Sequence, residues 1–232
     1  VARSNNGIFI SQRKYVLDLL DDTGMLDCRH ADSPIEVNHH LCSCKPINSS
    51  VDKERHQRLV GRLIYLSHTR PNIAYAVGIV SQFMHDLQTL HLEVVYRILR
   101  YLKSTPGKGI LFSRYDHLNL EAYTDADWAS SRVDRRSTSG YCTFMGGNLV
   151  TRSKKQTIVS RYSAESEYRA MAQGVCELIW LKRLLNDLGI MHESSMRLFC
   201  DNKSAIIISH NPVQYDRMKH IEIDRFFIRE KL

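Results

Sequence analysis

The sequence has 232 residues, 43% of them hydrophobic and 25% charged, and its formal net charge is +7. This length and composition suit a soluble, folded protein of one large or two modest domains. No apolar run approaches the roughly 18 residues of a membrane span and nothing resembles a signal peptide, so we expect an intracellular protein of the cytoplasm or nucleus. The positive charge favours a polyanionic partner, nucleic acid before an anionic membrane.

The first half of the chain has a mainly helical pattern. It begins at Val1 rather than Met, so we expect a piece of a longer polypeptide. Residues 28–48 are polar and irregular, which predicts a long loop or linker. Because these helices contain no cluster of catalytic residues, we predict a packing module or a module that binds nucleic acid. The predicted elements are a strand over 7–10 and helices that start after Ser11, at Ser49 or Ser50, at Pro71 and at Thr89.

From residue 118 the apolar periodicity changes to two, which predicts strands. Three strands around the Gly146-Gly147 turn form an antiparallel meander. A long helix that Gly189 closes comes next, and the tail from Asp216 onward is ambiguous between helix and strand. The predicted strands cover 118–123, 140–145, 149–151 and 197–200, and the predicted helices cover 164–188 and 202–210.

The six cysteines have neither the paired spacing of a zinc site nor that of a small disulfide framework. We interpret them as reduced thiols of an intracellular protein. Cys42-Ser43-Cys44, in the polar loop, is a weak metal-site signal because few further ligands surround it.

The strand indicated by the alternation of residues 118–123 is expected to run on through Asp125. Aspartate is disfavoured inside a strand, so a carboxylate at this position calls for an explanation. One reason is metal binding, and the alternative is a turn at the end of the strand. Asp127 shares the face of Asp125 only if the strand continues unbroken. Because Trp128 indicates that the strand is ending, Asp127 is left out of the candidate set.

Helical spacing separates two glutamates of the long helix. Glu165 has Arg169 four residues later, which predicts an ion pair on the surface. Glu167 has Ala170 and Met171 as helical neighbours and therefore borders the apolar stripe. A carboxylate in that position is costly unless a cation or hydrogen bonds receive it.

Asp201 follows the apolar residues 198–200, at the carboxyl end of what we predict to be a central strand. Open α/β sheets place their ligands at that edge, although Asp201 could instead cap the next helix. Hydrolysis of a phosphodiester by two metal ions needs several carboxylates around ions about 4 Å apart. We therefore predict that Asp125, Glu167 and Asp201 converge on hard divalent ions such as Mg²⁺.

Ordered motifs in the second half carry a family resemblance. They include Tyr-Thr-Asp-Ala-Asp-Trp-Ala at 123–129, Ser-Ala-Glu-Ser-Glu-Tyr-Arg-Ala at 163–170 and Cys-Asp-Asn-Lys-Ser-Ala at 200–205. With them, residues 118–230 resemble the ribonuclease H domain of the Pol polyprotein of copia-type LTR retrotransposons. The first half contains Arg-Leu-Val-Gly-Arg-Leu-Ile-Tyr-Leu at 58–66 and Tyr-Arg-Ile-Leu-Arg-Tyr-Leu-Lys at 96–103. With these motifs, residues 7–112 resemble the carboxy-terminal part of the reverse transcriptase of the same elements.

The resemblance implies an α/β fold, a ribonuclease H-like mixed sheet with helices over residues 116–232, truncated at its carboxyl end. Before it, residues 1–115 would be a mostly helical, thumb- or connection-like part of reverse transcriptase. The implied activity is hydrolysis of RNA in RNA–DNA hybrids during reverse transcription, by a two-metal site of Mg²⁺ or Mn²⁺ on Asp125, Glu167 and Asp201. The polymerase palm would lie upstream as a partner in the parent polyprotein, so this chain should not polymerise.

In the family, a further strand and a helix with a fourth carboxylate would follow Leu232. The resemblance therefore implies a ribonuclease H impaired by truncation, and the alternative is a catalytically inactive remnant that binds nucleic acid. Glu222 and Asp224 could substitute for the missing ligand, although by family position they belong to the preceding element.

Basic residues cluster around the predicted meander and could contact phosphates, which position a duplex without reading its sequence. Each of them alone is better explained by ordinary solvated surface than by a phosphate contact, so the evidence is the cluster. The cluster consists of Arg132, Arg135, Arg136, Arg152, Lys154 and Lys155.

Overall fold

The protein is described by a computed structural model, which covers residues 1–36, 52–84, 89–130, 135–156, 159–160, 162–192, 194–210 and 222–231. The chain divides into two compact units, Val1–Phe112 (unit 1) and Ser113–Leu232 (unit 2). No helix within the described ranges is long and apolar enough to cross a membrane.

Unit 1 combines helices with a small sheet. The three strands pair in the order β1-β2-β3, and β1 and β2 run antiparallel with Arg3 opposite Ile8. A helix lies at each of the four predicted places, but the second begins at Lys53 after an Asp52 cap, and not at Ser49 or Ser50 as predicted. Strands β1 and β3 were not predicted. The elements are β1 (Ala2–Ser4), β2 (Gly7–Ser11), α1 (Arg13–Asp22), α2 (Lys53–Ser67), α3 (Pro71–Ser81), α4 (Thr89–Ser104) and β3 (Gly109–Ser113).

Local signals in the sequence set the helix starts of unit 1. The Asp52 carboxylate accepts a hydrogen bond of 3.0 Å from the Arg55 backbone N–H and so caps α2, and Pro71 occupies the first turn of α3. The core is built from the apolar stripes of α1 to α4. It comprises Val16, Leu19, Leu20, Leu59, Val60, Leu63, Leu66, Ile73, Ala76, Val77, Val80, Val95, Ile98, Leu99 and Leu102.

Unit 2 is a four-stranded mixed sheet with helices. The strands pair in the order β6-β5-β4-β7, antiparallel except for the parallel pair of β4 and β7. The predicted meander, long helix and following strand are confirmed, and the ambiguous tail is helical from residue 222. The elements are β4 (Leu120–Asp127), β5 (Thr138–Met145), β6 (Asn148–Gln156), α5 (Ser163–Asp187), β7 (Arg197–Cys200), α6 (Lys203–His210) and α7 (Glu222–Lys231).

The long helix α5 lies against one face of this sheet because β4 offers it small side chains. Ala122, Thr124 and Ala126 are buried, whereas the alternate residues of β4 beyond Ala122 are exposed. Gly174 allows the close approach, since a Cβ there would lie 2.6 Å from Thr124 Cγ2 and 3.0 Å from Leu198 Cδ1. The sheet and helix are thus held at a separation that a larger residue at position 174 would not permit.

Candidate metal centre

Two of the predicted acids lie just beyond the paired stretch of two neighbouring parallel strands. The pairing of β4 and β7 ends with Thr124 opposite Cys200, so the next residues are Asp125, which is still inside β4, and Asp201, which directly follows β7. Both aspartates are exposed. The carboxyl ends of parallel strands are where α/β sheets bind ligands, and this edge carries two carboxylates open to solvent.

Glu167 comes to the same edge from the helix. It lies in the second turn of α5, seven residues before Gly174 and hence on the same helix face, which is turned to the sheet. Only 6% of its surface is exposed, and its carboxylate accepts a hydrogen bond from the Ala126 backbone N–H. The predicted position of Glu167 at the edge of the apolar stripe is therefore confirmed.

The surroundings of Glu167 disfavour its negative charge. Burial raises the pKa of its carboxyl most, followed by the charge of nearby Asp125. With the smaller effects of Asp201 and Asp127, and against the opposing Ala126 hydrogen bond, the pKa reaches about 7. Among the described residues, no cationic side chain is one of the groups that set this pKa. Ionised Glu167 is therefore a buried carboxylate surrounded by like charges.

Ligand atoms of three residues in this region are grouped closely enough to hold one ion. Glu167, Cys200 and Asp201 each offer one atom within 4.8 Å of the others, and Cys200 Sγ lies 4.0 Å from Glu167 Oε2. The structure thus brings Glu167 and Asp201 together. Asp125 is outside that group, although its charge has the largest effect of any neighbour on Glu167.

Asp127 belongs to the surroundings of the centre, contrary to the sequence interpretation that the strand ends before it. Strand β4 continues through Asp127, which pairs with Thr138 of β5 and shares the exposed face of Asp125. Trp128 lies beyond the strand, and its indole N–H donates a hydrogen bond of 2.9 Å to the Ser160 carbonyl. Trp128 therefore does follow the end of the strand, as predicted, but the strand includes Asp127, which was predicted to lie beyond it.

Comparison with known proteins places these residues in a family. No protein-family model matches the chain. It is 42% identical to the retrovirus-related Pol polyprotein from transposon RE1 of Arabidopsis thaliana over 99% of its own length, which is 16% of that protein. It is 37% identical over 98% of its length to the corresponding polyprotein from transposon TNT 1-94 of Nicotiana tabacum, covering 18% of it. An uncharacterised mitochondrial protein of Arabidopsis thaliana is 41% identical over 75% of the chain and is itself covered to 72%.

The chain belongs to the retrovirus-related Pol polyproteins of copia-type transposons. It spans less than a fifth of the Pol relatives that it matches, 16% of one and 18% of another. The predicted resemblance to that family is confirmed.

In this Pol segment, Glu165 and Glu167 of α5 have opposite surroundings. Glu165 forms the predicted ion pair with Arg169, at 3.0 Å between Oε1 and the guanidinium. The prediction that this pair is on the surface is wrong, because only 4% of Glu165 is exposed. Helix α7 also packs on α5 and its Asp224 interacts with Arg169, so this part of α5 is covered.

Asp224 and Glu222 were the alternatives for a further ligand. Burial raises the pKa of the Asp224 carboxyl, and the positive charge of Arg169 opposes that shift. Asp224 is not a member of the ligand group found among the described residues. The side chain of Glu222 lies outside the described part of the chain.

The predicted basic cluster of the Pol segment is described only in part. Arg135 and Arg136 are exposed, and Arg135 has a positive φ of 55°. Arg152 is half-buried opposite Cys142 in the register of β5 and β6, and burial lowers the pKa of its guanidinium. Arg132 and the side chains of Lys154 and Lys155 lie outside the described residues, as does the Cys42-Ser43-Cys44 signal.

Cys200 is the member of the ligand group that sequence reasoning missed. A cysteine in an apolar strand reads as a small core residue. The available signal was its position directly before Asp201, at a strand end already assigned to ligand binding.

Proposed function

We propose that unit 2 is a ribonuclease H-like domain that hydrolyses the RNA strand of RNA–DNA hybrids, with Asp125, Glu167 and Asp201 as ligands of Mg²⁺ or Mn²⁺. The observation that carries this proposal is Glu167, a buried carboxylate among aspartates, for which no cation is found among the described groups that set its pKa. A charge in such surroundings is costly unless an opposite charge joins it. A divalent ion supplied from solution meets that requirement.

The donor set fits a hard divalent cation. Asp125, Asp201 and Glu167 offer carboxylate oxygens, the ligands that Mg²⁺ and Mn²⁺ prefer. Two of these carboxylates face solvent, so a phosphodiester can approach the same edge of the sheet. The mixed sheet, with a meander followed by a long helix and a parallel strand, supports the proposed ribonuclease H-like fold.

Each side chain has a distinct part in this mechanism. When bound, divalent ions neutralise charge on the phosphate and activate water for attack. Glu167 is the rigid ligand, because helix packing at Gly174 and the Ala126 N–H fix its position. Asp125, within β4, and Asp201, directly after β7, are exposed at the solvent side, where the substrate phosphate enters. Asp127 adds negative charge next to them.

The proposed substrate is a hybrid duplex that is held by its backbone. The net charge of +7 and the exposed Arg135 and Arg136 favour phosphate contacts without sequence reading. Unit 1 is proposed to be the carboxy-terminal part of reverse transcriptase, a packing or nucleic-acid-gripping module next to the palm of the parent polyprotein. Its core is apolar, and the ligand group found among the described residues lies in unit 2.

The test is cleavage of a labelled RNA–DNA hybrid by the purified chain in Mg²⁺. We expect cleavage that a chelator abolishes and that Asp125→Asn lowers by about a hundredfold or more, because ligand positioning and charge stabilisation fail together. Asp187→Asn is the matched control, since this exposed aspartate at the other end of α5 should leave the rate unchanged.

Equal rates for Asp125→Asn and the unchanged chain would contradict the proposal. Binding of the hybrid without any cleavage by the unchanged chain would instead favour the inactive nucleic-acid-binding remnant. A gel-shift titration of the same labelled hybrid separates these two outcomes.

A further inference from the structure

Cys200 introduces a sulfur donor into a centre otherwise made of oxygens. It is the last residue of β7, and its side chain is turned toward α5, on the side of Leu198 and opposite to the exposed Phe199. The sulfur receives a hydrogen bond from the Asn202 backbone N–H, while the Thr124 hydroxyl next to it donates to the Phe199 carbonyl. The Cys200 thiol itself is directed at the Glu167 carboxylate, with the sulfur 4.0 Å from Oε2.

The spacing of the ligand atoms suits a small tetrahedral ion. Zinc–sulfur bonds of about 2.3 Å and zinc–oxygen bonds of about 2.0–2.2 Å place neighbouring ligand atoms roughly 3.5 Å apart. The three atoms of Glu167, Cys200 and Asp201 lie within 4.8 Å of one another. Side-chain shifts on the order of 1 Å would therefore close the group around one ion.

The chemistry of this group differs from that of the three carboxylates. Thiolate ligands select zinc and other thiophilic ions, whereas Mg²⁺ prefers oxygen alone. Glu167 and Asp201 belong to both sets, but Asp125 belongs only to the set of oxygens. An ion held by sulfur would thus occupy two of the three carboxylates and exclude a hard ion from them.

We propose that Glu167, Cys200 and Asp201 form a binding site for a thiophilic divalent ion, Zn²⁺ or Cd²⁺, which competes with the hard ion of the hydrolytic centre. The competition rests on the proposed function, whereas the binding does not. Such an ion acts as an inhibitor, because it takes two carboxylates and leaves Asp125 without its partners.

The experiment is a titration of the full chain with Cd²⁺, followed by the ultraviolet sulfur-to-cadmium charge-transfer band. We expect a band in the unchanged chain that is lost in Cys200→Ser and Cys200→Ala. Two controls should keep it: Cys176→Ser, at an exposed cysteine of α5, and the double change Cys42→Ser with Cys44→Ser. Circular dichroism and tryptophan fluorescence show whether each variant is folded.

A band of full intensity in both folded Cys200 variants would overturn the inference, as would its loss in the Cys42 and Cys44 double variant alone. Hybrid cleavage separates this inference from the proposed function. Cleavage in Mg²⁺ without a Cys200-dependent band leaves the function standing and removes the inference. A Cys200-dependent band in a chain that never cleaves the hybrid leaves the inference standing and removes the proposed function.

Discussion

Each unit buries a charged side chain, and the two charges are treated in opposite ways. Arg70 of unit 1 is only 1% exposed, yet its guanidinium donates hydrogen bonds of 2.7 Å to both the Thr105 carbonyl and the Thr105 hydroxyl, and one of 3.3 Å to Asn72. Glu167 of unit 2 is 6% exposed and faces Asp125, Asp127 and Asp201. The Arg70 charge is satisfied by hydrogen bonds within the chain, whereas the Glu167 charge is disfavoured by the neighbouring carboxylates of the chain.

The difference indicates what each charge does. A buried ion whose hydrogen bonds are all made within the chain ties two segments together and serves the architecture. A buried ion among like charges lowers stability unless a partner arrives from outside. Burial of a charge is costly in both units. The buried charge of unit 1 therefore indicates a structural role, and that of unit 2 indicates ion binding.

The largest effect is expected from Arg70→Ala. It removes the packing of a fully buried side chain and leaves the Thr105 acceptor unsatisfied, so the free energy of unfolding of unit 1 should fall by about 4 kcal/mol. Urea unfolding followed by circular dichroism measures it. Arg62→Ala is the control, since this partly exposed arginine pairs with the exposed Asp22 and should cost about 1 kcal/mol or less. Equal losses in both variants would remove the assigned role of Arg70.

The second effect concerns Glu167→Gln in the presence of a chelator. Because the pKa is raised from 4.5 to about 7, the unfolded chain loses this proton first as pH rises. Stability therefore falls through that window, and the penalty of about 3 kcal/mol is complete above pH 7. Glutamine cannot ionise, so the variant should be the more stable protein at pH 8 and equal at pH 4.

Tryptophan fluorescence during urea unfolding measures this difference in unit 2, which contains both Trp128 and Trp180. Glu165→Gln is the matched control two residues away. It breaks the buried pair with Arg169 and should lower stability at pH 8. The same sign of change in both variants would contradict the distinction between the two glutamates.

A smaller effect is expected from Gly174→Ala. The added Cβ would collide with Thr124 Cγ2 at 2.6 Å, so α5 must shift away from the sheet at a cost of about 2 kcal/mol. That shift also displaces Glu167, and hybrid cleavage should fall by about a hundredfold. Unfolding and cleavage assays on the same preparation test both. Unchanged cleavage would show that the helix does not position the ligand.

The smallest expected effect is a gain of stability in unit 1, from a glycine replaced by alanine. Gly78 is an exposed glycine of α3 whose Cβ would meet nothing within 4 Å. Gly78→Ala should therefore stabilise unit 1 by about 0.5–1 kcal/mol through helix propensity. Urea unfolding followed by circular dichroism measures it, and a loss of stability would show that the glycine has a packing role there.

Strong periodicity made much of unit 2 predictable. The stripe of α5 and the closing Gly189 located the long helix, and strand β7 matches the predicted residues 197–200. Strand β1 was missed because a three-residue strand carries little alternation. Strand β3 was also missed. It pairs with β2, from which it is separated in the sequence by nearly all of unit 1, and no local pattern encodes so distant a partner.

The candidate site was predictable as a set of residues but not as a geometry. The burial cost of a carboxylate on an apolar stripe identified Glu167, and the strand end identified Asp201. The closest group of ligand atoms is completed by Cys200 and not by Asp125. The reason is the pleat of the strands, which turns residue 200 toward α5 and residue 125 toward solvent. The burial of Glu165 depends on α7, whose packing on α5 is not encoded near residue 165.

The most direct test of Glu167 as a carboxylate that requires an external cation is Mn²⁺ binding, followed by the electron paramagnetic resonance signal of the free ion at pH 8. The unchanged chain should remove Mn²⁺ from solution saturably, and Mg²⁺ should compete. Glu167→Gln should lose this binding, while Asp187→Asn retains it. Equal binding by Glu167→Gln and the unchanged chain would contradict the account.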